Sequence, residues 1–145
     1  MEKKRIIIGR LCLEHNVFLK KLTNIYNVYT TDIACCKCDK ALLKDVTSVT
    51  MSSEEMERFL DFYTSNTMLS SIGLREASCL FVGYERSLDV VVRDITTEIV
   101  CIKLGVNYLK LPNLIEGNNL LQERNDVYQE RKMNILYIPH KIKCL

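Results

Sequence analysis

Short runs of β-branched and aromatic residues, each bounded by turn residues, constrain the fold of this chain more than any other feature. They fall at 5–9, 25–30, 33–36, 43–50, 79–84, 88–93, 95–102 and 133–138. Runs of this length and make-up read as strands. Spaced along one chain they predict a mainly β protein built from antiparallel sheets. One helix is signalled clearly. Ser52 with Glu55 three residues later forms a capping box, and Met56, Phe59, Leu60 and Tyr63 then recur at helical spacing. A weaker helical pattern covers 120–128, and 64–76 and 112–119 read as loops.

At 145 residues the chain fits a single domain, 1–145, long enough to bury a core without disulfides or metal. No apolar run approaches a membrane span. Ile6-Ile7-Ile8 is cut by Gly9 and Arg10, too short for the apolar region of an export signal. With no such signal, the seven cysteines read as reduced thiols, and the expected location is the cytoplasm.

A net charge of +2 argues against a strongly basic nucleic-acid binder, yet the basic residues are clustered. Lys3, Lys4, Arg5 and Arg10 crowd the start, Lys20 and Lys21 follow, and Arg131, Lys132, Lys141 and Lys143 crowd the end. If the termini meet, as they often do in a domain, these ten residues are the candidate phosphate-binding set. The alternative is a solvated rim. No Gly-x-Gly-x-x-Gly or phosphate-binding loop is present, nor a Gly-x-Ser-x-Gly elbow or a His-Glu-x-x-His helix. His15 and His140 are the only histidines. No nucleophile, base and orienting group come together, so the expectation is a protein without catalytic activity.

Cys35-Cys36-Lys37-Cys38 is a Cys-x-x-Cys knuckle with no second knuckle to complete a four-ligand zinc site. The string 28–42 around it resembles the first knuckle of Yippee-like proteins. Asp94-Ile95 leading to Leu104-Gly105 and Tyr108 is similar to that family's second landmark, and 128–137 to its final turn and strand. The second cysteine pair of the family maps to Thr97 and Val100, which cannot supply thiolates. Cys101 lies one residue late and would need a bulge to join Cys35 and Cys38.

The resemblance implies a β-tent, two antiparallel sheets meeting at an angle with one or two short helices. Zinc is then an optional cofactor on a remnant site, and Val90, Val92, Ile95, Ile99, Leu104 and Val106 are core candidates between the sheets. It also implies a function. The chain looks similar to the Yippee-type dormancy factor of microsporidian ribosomes, which would bind rRNA and ribosomal proteins and sterically block a transfer-RNA or messenger path in the idle particle. A second implied function is a protein-protein adaptor of the Yippee and Mis18 kind, acting at centromeres or in ubiquitin-ligase complexes.

Overall fold

A computed structural model describes residues 2–13 and 16–111. By its contacts the chain divides into Met1–Leu109 and Lys110–Leu145, and the architecture below is that of the first. The predicted strand at 133–138, the helical pattern at 120–128, His15, His140 and the basic residues Arg131, Lys132, Lys141 and Lys143 all lie outside the described residues.

The elements alternate between strand and helix. β1 (Arg5–Ile8) leads through α1 (Arg10–Leu13) and α2 (Asn16–Ile25) to β2 (Asn27–Thr31), and a 3-10 turn at Lys40–Leu43 precedes β3 (Val46–Val49). Then come α3 (Ser53–Ser65), a 3-10 turn at Thr67–Ser71, α4 (Gly73–Arg86), β4 (Asp89–Val92), α5 (Ile95–Leu104) and β5 (Tyr108–Lys110). One sheet holds all five strands in the order β3-β2-β1-β4-β5, and they run parallel. In register, Ile6 faces Val28 on one side and Asp89 on the other, and Val28 faces Val46.

This corrects the expected fold. The protein is α/β with a single parallel sheet, and two antiparallel sheets in a β-tent are not what the chain forms. The physical reason lies in its two central strands. Ile6, Ile7 and Ile8 are all fully buried, and Val90, Val91 and Val92 nearly so. Continuous apolar runs without alternation belong to strands covered on both faces, and both-face covering is the habit of parallel sheets. Ile7, Val90 and Val92 pack with Phe59, Leu80 and Val100 from α3, α4 and α5. Successive side chains alternate between faces, so Ile6, Ile8 and Val91 turn the other way. On that side α1 lies along β1 and α2 along β2, and Leu13, Leu19 and Leu22 are buried.

Two predicted strands are helices. Residues 79–84 sit inside α4, where Ala77 to Gly83 are buried without a break, so no helical stripe of polar residues shows in the sequence. Residues 95–102 form α5. Its N-cap Asp94 accepts the Thr97 N–H at 2.9 Å, and it stops at Gly105 with φ of +70°. The second Yippee-like landmark, expected as a strand, is therefore this capped helix. Thr97, Val100 and Cys101 are buried on it, while Ile95, Ile99 and Leu104 are half-buried. The run 33–36 is a turn. The helix at 53–65 forms as expected, with both arms of the Ser52–Glu55 capping box in place. The bond from the Ser52 backbone, then Arg86, holds the Glu55 carboxyl below its ordinary pKa.

Gly83 explains how closely α4 lies on the sheet. A Cβ there would meet Val90 Cγ2 at 2.5 Å and Ile7 Cγ2 at 3.3 Å. Gly83→Val should therefore overpack the β1–β4 contact and cost about 1–3 kcal/mol. Urea denaturation checks this, and a midpoint at or above that of the parent protein would show that α4 does not press on these strands as described.

Candidate ligand site at the carboxyl edge of the sheet

From β1 the chain moves to β2 on one side, while β4 lies on the other. Loops after two such neighbouring strands diverge, which opens a crevice at their carboxyl ends. Ligands of open α/β sheets bind in that crevice, the topological switch point. In this chain the switch point is between the ends of β1 and β4.

The residues that reach it follow from the connections. Gly9 and Arg10 come directly after β1, and Arg93 and Asp94 directly after β4. Only Ser87 and Leu88 separate α4 from β4, so α4 runs antiparallel to that strand and its first turns lie at the same edge. That places Glu76 there. A Cβ built on Gly9 would fall on the Glu76 carboxylate, so the carboxylate lies directly over the Gly9 backbone. Glycine at the end of β1 makes room for it.

Cys12 registers the same group of charges. Burial pushes its thiol up to about 12, with Glu76 the next largest cause; Cys79 and Asp94 add to the rise and Arg93 opposes it. Glu76, Arg93 and Asp94 therefore converge around the end of β1. Glu76, Arg10 and Arg93 are all engaged with protein groups. Arg10 also donates from Nη1 to the Cys36 carbonyl at 2.8 Å, which ties the turn after β2 to this edge.

Beneath the edge runs a buried hydroxyl and thiol network. Thr30 Oγ1 donates to the Ile8 carbonyl at 2.8 Å, and Cys79 Sγ donates to the same carbonyl at 3.4 Å. Thr31 Oγ1 accepts the Ala34 N–H at 2.9 Å and pairs with Ser78 Oγ at 2.7 Å. These bonds spare the buried polar groups a desolvation cost of about 1–3 kcal/mol each. They also fix the end of β1 against β2 and α4. Beside them an open crevice of about 650 Å³ lies between the turn after β2 and the start of α4, lined by Asp32, Ile33, Cys36, Ile72, Leu74 and Arg75 among others.

Among the described residues, the members of the sequence-predicted basic set do not form one patch. Lys3, Lys4 and Arg5 lie at the amino edge of the sheet, where Lys3 Nζ donates to the Thr23 carbonyl at 3.1 Å and Lys4 pairs with Asp89 at 2.8 Å. Arg10 is at the opposite, carboxyl edge. Lys20 and Lys21 are on α2, the first exposed and the second half-buried. Cys35 and Cys38 lie in the turn after β2 and Cys101 within α5. Among the described residues no group of three or more His, Cys, Asp or Glu is placed to hold a metal ion. Sequence reasoning named Arg10 but missed Gly9, Glu76, Arg93 and Asp94. The available signal was a charged pair directly after a continuous apolar run, Val90-Val91-Val92-Arg93-Asp94, which points to a site only once the sheet is known to be parallel.

No protein-family model matches the chain, and no curated protein matches it. No helix among the described residues is long and apolar enough to cross a membrane.

The Gly9–Glu76 contact generates a coupled prediction. Gly9→Ala should displace the carboxylate and destabilise the fold, and Glu76→Ala in the same chain should recover part of the loss. The coupling expected for touching residues is about 0.5–3 kcal/mol, measured by a double-mutant cycle in urea, and additive effects would contradict the contact. The buried thiols give a pH dependence. Cys12 and Cys79 are raised from 9.0 to about 12 by burial first and Glu76 second. A raised folded pKa stabilises fully below the unfolded value and is lost as pH rises through the folded one. Stability should therefore fall above pH 9, and less steeply in Cys12→Ala, as read from denaturation midpoints at successive alkaline pH values.

Proposed function

We propose that this protein is a phosphate-recognising binding module, and that its ligand is the backbone of single-stranded RNA held at the switch point without chemical turnover. The observation that carries the reading is that Glu76, Arg93 and Asp94 gather at the carboxyl ends of β1 and β4, with Arg10 placed directly after β1. Lys37 and Arg75 border the same edge, from the turn after β2 and the first turn of α4. A guanidinium carries five donors in a planar fork whose geometry matches phosphate. Lys3 and Lys4 lie at the opposite, amino edge of the sheet, where they meet Thr23 and Asp89.

The carboxylates favour a second reading. Magnesium is commonly held by one or two carboxylates together with the phosphates of a ligand, and Glu76 and Asp94 supply two. Phosphodiester hydrolysis assisted by a divalent cation is then the alternative. Gly9 counts against it, because the residue directly after β1 contributes no third carboxylate to the site.

Ribosomal RNA is the narrower version of the ligand. That narrowing came with a β-tent, and a doubly wound sheet carries no comparable pointer to the ribosome, so RNA in general is the ligand proposed.

Fluorescence anisotropy with a single-stranded RNA oligonucleotide across a salt series tests the proposal. Arg93→Ala should weaken binding and reduce the salt slope by about one, while Lys3→Ala leaves both unchanged. No binding at low salt, or a loss that follows Lys3 and not Arg93, would sink the reading. RNA cleaved only when magnesium is present, and not by Glu76→Gln, would move the assignment to the hydrolytic alternative.

A further inference from the structure

Three thiols stand within four residues of the turn that follows β2, and the function proposed above makes no use of them. The backbone there is closely specified. The Cys38 N–H donates to the Cys35 carbonyl at 2.9 Å, which closes a four-residue turn with Cys36 and Lys37 at its centre. Lys37 has φ of +67°, and Cys36 is not among the residues with positive φ, which is the pattern of a type II turn. The Arg10 bond to the Cys36 carbonyl anchors the central peptide of that turn, and so helps hold a lysine in a conformation usually left to glycine.

Such a turn brings its first and last Cα atoms within about 7 Å, and a disulfide bridges Cα separations of about 4.4–6.8 Å. Cys35 and Cys38, at the two ends, therefore meet the main distance requirement with little backbone movement. Access is also in place. Cys35 and Cys38 are half-buried and Cys36 is exposed, whereas Cys12, Cys79 and Cys101 are buried. Burial pushes each of those three thiols up to about 12, which keeps them protonated and unreactive. Cys35 Sγ lies against the Asp32 carbonyl at 3.8 Å and Ser48 Oγ at 3.6 Å, held by weak contacts alone.

We propose that Cys35 and Cys38 are a redox modification site that closes to an intramolecular disulfide in the folded protein, with a low-molecular-mass disulfide such as oxidised glutathione as the oxidant. The thiolate of one cysteine attacks a sulfur of oxidised glutathione, the glutathione disulfide breaks, and one glutathione thiolate leaves. The second cysteine thiolate then attacks the protein-bound sulfur of the mixed disulfide and displaces the other glutathione. Two protein thiols are oxidised and one glutathione disulfide is reduced to two thiols, and the two protons released by the cysteines end on the glutathione thiolates. Cys36, exposed beside Cys35, is the competitor for the first attack.

The full chain is equilibrated in buffers of graded oxidised-to-reduced glutathione ratio, quenched with acid, and mapped by mass spectrometry of its peptides. The expected result is loss of two hydrogens on a peptide joining Cys35 to Cys38. The Cys36→Ser variant should retain that product, and Cys35→Ser or Cys38→Ser should stop at a glutathione adduct. Circular dichroism of the same samples shows that the variants are folded. Glutathione trapped on Cys36 alone, a Cys35–Cys36 link, or a Cys35–Cys38 bond formed only after denaturant is added would each overturn the proposal.

Discussion

Ile6, Ile7 and Ile8 occupy the middle of the sheet with no exposed surface, and the burial of this strand from both sides is the constraint on which the other elements depend. A strand so apolar cannot face water on either side, and burying a side chain of this kind contributes about 1.5–3 kcal/mol. Both neighbours must pair with it, and both faces must be covered. β2 and β4 meet the first need. The second requires helical layers, which a parallel sheet obtains from its own crossovers. The same residues therefore select a layered α/β architecture and fix β1 beside the switch point, since its two neighbours come from opposite halves of the chain.

The end of β1 inherits its chemistry from that position. Ile8 offers its carbonyl to Thr30 and to Cys79, so the strand is clamped from β2 and from α4 just where its apolar run ends. Gly9 follows, and the absence of a side chain lets α4 bring Glu76 over the backbone. The core packing of α4 and the placement of the carboxylate are thus one arrangement. Gly83 sets how near the helix lies at one end, and Gly9 how near at the other. A change in the seating of α4 would move Glu76 relative to Arg93 and Asp94 without touching the edge itself.

Much of this was legible as segments and little as topology. The runs at 5–9, 43–50 and 88–93 each contain a strand, the run at 25–30 overlaps one, and the Ser52 capping box marks α3. Strand direction was not legible from run length and residue type, because β-branched runs look alike in either pairing. What distinguishes parallel pairing is the lack of alternation in Ile6–Ile8 and Val90–Val92. α4 and α5 were misread for related reasons. α4 buries seven consecutive residues, so its period is hidden, and the apolar residues of α5 are scattered round the helix without a single stripe, so Asp94 and Gly105 at its ends identify it. Arg10 was legible as a basic residue, but its separation from Lys3, Lys4 and Arg5 was not, because four strand residues carry the chain from one edge of the sheet to the other.

The Cys-x-x-Cys turn shows how a local pattern changes meaning with its surroundings. Read alone, Cys35 and Cys38 are half of a zinc site, and a fold pinned by metal would need two more ligands close by. In a doubly wound sheet nothing needs pinning, because β1 and its helical layers supply the cohesion. The turn is then an ordinary surface connection between β2 and β3, with a left-handed lysine at its centre and an arginine from the switch point on its middle carbonyl. That bond makes the geometry of the turn and the position of Arg10 mutually dependent. Whatever alters the backbone at Cys36, a bound ligand or a covalent link, must act on the carboxyl edge as well, and a ligand that draws Arg10 away must in turn loosen the turn by the same free energy.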